Sequence, residues 1–363
     1  MTAPNGTVPA STAPASTAAV STVPASTASR GFAILRGGVT DAAATAAEAE
    51  RLGYHAAWSP EFYTRSAIVS LAAMAQATAR ARIGSSIVYA VGRTPLVLAT
   101  EARSLDELSE GRLVYGLGTG TTKMMVGWHG VDPSGPASRM EELLPLLRKL
   151  WRLHEGPVRH DGRFYHVDVT PTAEMTPPVR AEIPLFTAGV NTRMVEVAGR
   201  VADGFLGHPL FSPRYYDDVV RPAIAKGAAK TGREVERVQI AGLVICSVAD
   251  DEVQARREAA AQIAFYAAPR TYGTVVGVAG FSEAGERIRA AFASRDFDAM
   301  AAAVPDAMVD AMSASGTPAQ VSARLQEFGR HIDHVIVYPA SFGMTDERSR
   351  QVTADLLKAA APG

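Results

Sequence analysis

The chain has 363 residues, 47% hydrophobic and 20% charged, with a formal net charge of -1. This is the composition of a soluble globular protein without the basic field that nucleic acid requires. No apolar run reaches the roughly 18 residues of a membrane span, and the N-terminus has neither the basic start nor the continuous apolar core of a secretory signal.

Residues 1–29 carry no charge and repeat Pro-Ala-Ser-Thr from Pro9, Pro14 and Pro24. They hold too little large apolar surface to offset the entropy of ordering, so they read as a disordered tail ahead of one folded domain over 30–363. Gly31 to Arg36 predicts a first strand. Thr40-Asp41 opens a helix whose Ala42, Ala46, Ala49 and Leu52 share one face until Gly53 ends it. Tyr54 to Ser59 reads as a second strand, Ser66 to Thr78 as a helix, and Arg82 to Val91 as a third strand. Pro95 starts the next helix at a first-turn position and Gly111 stops it. Leu113 to Leu117 is a short apolar run without helical spacing, which suits a fourth strand buried on both faces.

Ser138-Arg-Met-Glu141 predicts a capping box for a Leu-rich helix to Leu153, kinked by Pro145. Residues 155–182 break the alternation, and Asp161-Gly162 between β-prone runs is a hairpin-turn signal. Ile183 to Val190 is a fifth strand, followed by a helix capped by Asn191, a sixth strand at Gly204 to Gly207 and a helix opened by Ser212-Pro213. Val238 to Val248 is the seventh strand. The single cysteine, Cys246, lies within it; with no partner for an internal disulfide it reads as a buried inert thiol in a cytoplasmic protein. A helix from Asp250 to about Tyr266 precedes an irregular insertion over 267–312. Thr317-Pro-Ala-Gln320 then caps a helix leading to an eighth strand, Val335 to Tyr338.

Eight strands, each followed by a helix or a helix-bearing insertion, predict an α/β fold, a (β/α)8 TIM barrel with insertions after strands 4 and 7. A doubly wound sheet uses the same alternation, but eight units over one core favour closure. A barrel puts its site at the carboxyl ends of the strands. Arg36 and His208 then lie around one mouth with residues 59–63, 86–91, 118–121, 189–191 and 338–341.

The glycines after strand four, Gly116-Leu-Gly-Thr-Gly120, either let a flat or phosphorylated ligand approach the backbone or make a tight turn with no ligand at all. They are not a dinucleotide fingerprint, because position six of that pattern is Thr121 and the run is the fourth strand of its series. No His-x-His pair or carboxylate cluster marks a strand end, so no metal centre is expected. No Gly-x-Ser-x-Gly elbow occurs, and Ser85-Ser86 lacks a sequence-defined base. His160 and His166 flank the predicted hairpin and read as surface residues.

Several motifs in order carry a resemblance: Trp58-Ser-Pro-Glu61, Ala81-Arg-Ile-Gly-Ser-Ser-Ile-Val88, Arg93-Thr-Pro95, Ser104-Leu-Asp-Glu-Leu-Ser-Glu-Gly-Arg112, Gly116-Leu-Gly-Thr-Gly120 and Gly127-Trp-His-Gly130. With Val201-Ala-Asp-Gly-Phe205 and Gly316-Thr-Pro318 they make the chain, from about 31 to 340, similar to the luciferase-like monooxygenase family. It most resembles the branch that uses the deazaflavin coenzyme F-420, including methylenetetrahydromethanopterin reductases.

The resemblance implies a tricyclic ring at the mouth and hydride transfer to or from a small organic substrate of imine, enone or carbonyl type. It implies a bulge in the third strand with a non-prolyl cis peptide at Ser86-Ile87 behind the ring. Gly118, Thr119, Gly120 and Thr121 would floor the ring, and Trp128 would stack on it. The phosphate would sit at Gly189, Val190 and Asn191, where free N–H groups and a helix dipole meet. Glu61, at the end of strand two, is the expected proton donor, unless it pairs with Arg65; His208 and His129 are the other acid/base candidates. Thr121 stands where sugar-phosphate-oxidising relatives have glutamate, which argues against their substrates. The same resemblance allows FMN with molecular oxygen, a monooxygenase, or a non-catalytic flavin-binding paralogue. A homodimer is the expected assembly, with no nucleic-acid or membrane partner.

Overall fold

The computed structural model describes residues 28–362. The tail expected over 1–29 therefore lies almost wholly outside the described residues, except that Ser29 already belongs to the first strand.

Eight parallel strands close into a barrel: β1 (Ser29–Ala33), β2 (Ala56–Ser59), β3 (Arg82–Ser85), β4 (Leu113–Gly118), β5 (Leu185–Ala188), β6 (Gly204–Gly207), β7 (Gln239–Val248) and β8 (His334–Pro339). Each pairs with the next, and β8 pairs back to β1, with Ser29 opposite His334 and Phe32 opposite Val337. The (β/α)8 expectation is met. Closure leaves the barrel no exposed edge among these eight strands, the general liability of open sheets.

Alternation along each strand divides the core. Ala33, Ala56, Trp58, Val114, Phe186, Leu206, Leu243 and Ile336 fill the lumen, and Leu35, Ile87, Ala188 and Tyr338 pack above them. The intervening residues, such as Phe32, Ile83, Tyr115 and Val337, join the larger core under the helices. Trp58 takes the lumen space that side chains at two other strands would occupy. A Cβ on Gly84 would lie 2.4 Å from its ring, and one on Gly31 would lie 2.7 Å from its Nε1. The indole N–H donates to His334 Nε2 at 3.0 Å. Trp is a donor only, so Nε2 must be bare and Nδ1 carries the hydrogen, which faces Ser29 Oγ at 2.7 Å.

Several expectations change. The segment 267–312 is not irregular: it folds as helices Gly273–Val278, Ser282–Ala293, Phe297–Ala302 and Asp306–Met312. Its alanines, the best helix formers, explain this. Ser313–Gly316 forms an extra parallel strand outside the barrel on the far half of β7. The Leu-rich helix starts at Pro136 after Gly135 in the left-handed region, so Ser138 caps nothing; Glu141 instead pairs with Arg193 and Arg200. Pro145 sits inside a helix that runs on to Trp151. The 155–182 region contains the hairpin Val158–Asp161 and His166–Val169, with four residues in its turn. A final helix, Asp346–Ala359, packs on β7 and β8.

Candidate active site at the carboxyl mouth

Between β3 and β4 the register slips. Gly84 faces Val114, but Val88 faces Leu117, so four steps on one strand oppose three on the other. That extra residue defines a β-bulge, and within it the Ser86–Ile87 peptide bond is cis. Ser85 repairs the interrupted ladder with its side chain: Oγ accepts Gly116 N–H and donates to Gly116 C=O, both at 2.8 Å. The bulge is also tied to the end of β2, since Ser86 N–H donates to Ser59 C=O and Glu61 N–H to Ile87 C=O, each at 3.0 Å.

Glu61 completes this clamp. Its Oε1 accepts Arg93 Nη2 at 2.6 Å, and its Oε2 accepts Arg93 Nη1 at 2.8 Å and Tyr89 N–H at 2.9 Å. Arg93 in turn holds Glu101 at 3.0 Å. Burial raises the Glu101 carboxyl above its ordinary range, against the pull of Arg93. Both Glu61 oxygens are thus engaged by N–H donors of the protein itself. The expected proton donor is therefore an anchor here, and its partner is Arg93 rather than Arg65, which instead donates to the carbonyls of Ile34 and Gly37.

The glycines of β4 serve the bulge. A Cβ on Gly116 would lie 1.9 Å from Ser85 C=O, and one on Gly118 would lie 2.3 Å from the Ile87 side chain. They make room for protein at the site, not directly for a ligand. Gly120 adopts φ +71°, the turn that hands β4 to the next helix. Thr119 is buried, and Thr121 caps helix Thr122–Gly127 through a 3.3 Å bond from Met124 N–H.

Beyond β4, Trp128 is 41% exposed and meets Phe62 and Tyr63 edge-on at 5.2 and 5.4 Å, forming an aromatic rim. His129 packs against Tyr89 at 5.2 Å with its Nε2 buried and unpartnered. Ser86 Oγ is likewise buried without a partner. At β5, Asn191 caps helix Thr192–Val201 by accepting Met194 N–H at 3.0 Å, and Val190 C=O accepts the Tyr215 hydroxyl.

The opposite wall is aromatic. His208, one residue past β6, stacks on Tyr272 at 4.4 Å and meets the edge of Tyr266 at 4.9 Å. Its Nδ1 accepts Leu210 N–H at 3.3 Å, so the neutral ring carries hydrogen on Nε2. Burial pushes this imidazole down to about 3. The Tyr266 and Tyr338 hydroxyls are hydrogen-bonded to each other. Tyr89 joins the two walls, its phenol pushed up mainly by burial, with Glu61, Tyr272 and Tyr338 adding to the effect. The sequence pointed to His208 and to the β8 end, but gave no role to Ser85, Tyr89 or Arg93. Arg93 lay inside a quoted motif, so a signal for it existed. Among the described residues no cluster of His, Cys, Asp and Glu could hold a metal ion, and no helix is long and apolar enough to cross a membrane.

A parallel barrel with a neutral, aromatic mouth and a bulged third strand is the architecture of a class of flavin-type oxidoreductases. The chain belongs to the luciferase-like monooxygenase family, whose profile matches residues 17–332. It is 28% identical to a putative coenzyme F420-dependent oxidoreductase of Mycobacterium tuberculosis, over 73% of this chain and 80% of the relative. It is also 28% identical to the 5,10-methylenetetrahydromethanopterin reductase of Methanolobus tindarius, over 77% and 83%. The fold matches the coenzyme F420-dependent tetrahydromethanopterin reductase of Methanopyrus kandleri with TM-score 0.78 at 23% identity, covering 93% of this chain and 98% of that one.

Proposed function

We propose that the protein binds a deazaflavin of the F-420 type at this mouth and transfers hydride between it and a small organic substrate. The supporting observation is chemical. The bulge and the loop after β4, where the family resemblance puts the ring, hold two buried polar atoms with no protein partner, Ser86 Oγ and His129 Nε2. Buried polar atoms are normally satisfied, and a heteroatom-edged ring would satisfy these. The putative F420-dependent relative and the F420-dependent reductase that shares the fold support the choice of cofactor.

When bound, a deazaflavin supplies or accepts hydride at one ring carbon. Ile87, standing over Gly118, would hold one face of the ring, and Trp128 at the rim would shield it from water. Residues 189–191, just ahead of helix Thr192–Val201, would hold the cofactor's phosphate. Glu61 and Arg93 fix the bulge against which the ring would rest.

Titration with F-420 and, separately, with FMN, read by ring absorbance and fluorescence, tests this. Saturable F-420 binding at micromolar concentration is expected, with FMN weaker. Tight FMN binding without F-420 binding would replace the reading with an FMN-dependent monooxygenase. Cofactor binding with no turnover of any carbonyl, enone or imine acceptor would favour a non-catalytic flavin-binding paralogue.

A further inference from the structure

We propose that the Tyr266–Tyr338 hydroxyl pair, together with His208 Nε2–H, is the subsite that receives the substrate's oxygen, and that the substrate is a neutral carbonyl or enone and not an iminium cation. This rests on the hydride-transfer reading above and deepens it.

Tyr338 packs on the upper edge of the lumen core, near the end of β8. Its hydroxyl meets that of Tyr266, which comes from the separate helix Glu252–Ala267. Two hydroxyls have two hydrogens between them. Their mutual bond uses one, so one O–H stays free to donate. His208 offers the second donor, because its Nδ1 already accepts Leu210 N–H and its Nε2 has no partner among the described residues. His208, Tyr266, Tyr272 and Tyr338 each keep part of their surface exposed.

The charge balance selects the substrate. Burial alone sets the His208 shift, and burial together with tyrosine neighbours sets those of Tyr272 and Tyr338; no carboxylate contributes to any of the three. Glu61 is tied to Arg93, and Asp346 at the rim is tied to Arg36. A cationic iminium would be desolvated here with no counter-charge, which is costly. A carbonyl enters neutral and builds negative charge on oxygen only as it reacts, where preorganised donors act most strongly. Burial raises both phenols, so they stay protonated donors throughout the physiological range.

The step balances. Hydride from the reduced cofactor brings two electrons to the carbonyl carbon, and the C=O π pair moves onto oxygen. That oxygen takes the free phenolic proton, giving the alcohol. The phenolate left behind accepts the O–H of the other tyrosine until water restores its proton.

The test uses 4-(dimethylamino)cinnamaldehyde, whose absorption moves to the red when its carbonyl oxygen accepts strong hydrogen bonds. With the full-length wild type, in the absence of cofactor, a red shift is expected. Tyr338→Phe and Tyr266→Phe should abolish or reduce it, while Tyr272→Phe keeps it. In turnover with F-420 the two Phe variants should lose about 10²-fold in kcat with cofactor affinity unchanged. No shift in wild type, an unaltered shift in both Phe variants, or faster reduction of a preformed iminium than of the parent ketone would overturn the proposal. A shift that persists in a protein that binds no F-420 would leave the subsite standing and remove only the cofactor reading.

Discussion

Glu61 shows how far one residue's surroundings can change its chemistry. At the end of β2 it has the position of a mouth-facing acid, yet both oxygens are committed to Arg93 and to Tyr89 N–H. With side chains 11% and 18% exposed, the pair is mostly removed from water, so deleting the negative charge removes a two-pronged ionic contact and leaves Arg93 with Glu101 alone. Glu61→Gln should therefore destabilise the protein by about 2 to 3 kcal/mol, toward the low end for a buried pair because the amide oxygen can keep the Tyr89 bond. Urea unfolding measures this. If Glu61 were instead the proton donor, the variant would keep its stability and lose kcat alone.

At the scale of elements, backbone contact decides what can change. Helices Thr192–Val201 and Arg221–Thr231 cross so closely that a Cβ on Gly227 would lie 2.1 Å from Glu196 C=O, and one on Gly199 would lie 2.1 Å from Ile224 C=O. Backbone cannot swing aside as a side chain can. Gly227→Ala should cost about 3 kcal/mol by overpacking, despite the roughly 1 kcal/mol that alanine normally adds in a helix. Gly273→Ala, also helical but with nothing within 4 Å of its Cβ, is the control and should be neutral or slightly stabilising; comparing the two urea midpoints separates packing from propensity. Local patterns made the eight strands legible, because alternation and turn residues are encoded within each segment. The bulge, the Glu61–Arg93 clamp and the tyrosine wall were less legible for the opposite reason. They join residues such as Tyr266 and Tyr338, 72 positions apart, and periodicity carries no information about such pairs. The bulge site itself was reached only through family likeness, not through spacing.

The whole molecule keeps two imidazoles uncharged in its interior, and this should govern its response to acid. His334 sits 6% exposed inside the barrel, pushed down to about 3 by burial first, with His55 and Arg82 adding to the effect; His208 at the mouth is also depressed to about 3, by burial. The unfolded chain binds both protons near the ordinary histidine value of 6.5, so below that value it holds more protons than the native state. Stability is then fully present above pH 6.5 and lost as pH falls toward 3, with a slope of up to about 1.4 kcal/mol per pH unit for each histidine. Solvent at the mouth lets His208 adjust more easily than His334, so His334 should carry the larger share. Glu196, lowered to about 2 chiefly by Lys226 and then Lys230, adds its own loss only once pH falls below 4.5. Denaturation midpoints measured between pH 6.5 and 5 therefore report the histidines before Glu196 contributes, while Glu101, raised by burial, acts in the opposite sense. His334→Gln can still accept the Trp58 N–H and donate to Ser29, but it cannot take up a proton in the unfolded chain. It should remove about half of the slope or more in that window while leaving the barrel folded at pH 7; an unchanged slope would mean that water in the cavity lined by Trp58, His334, Ser29 and Tyr54 already relieves the imidazole of its burial.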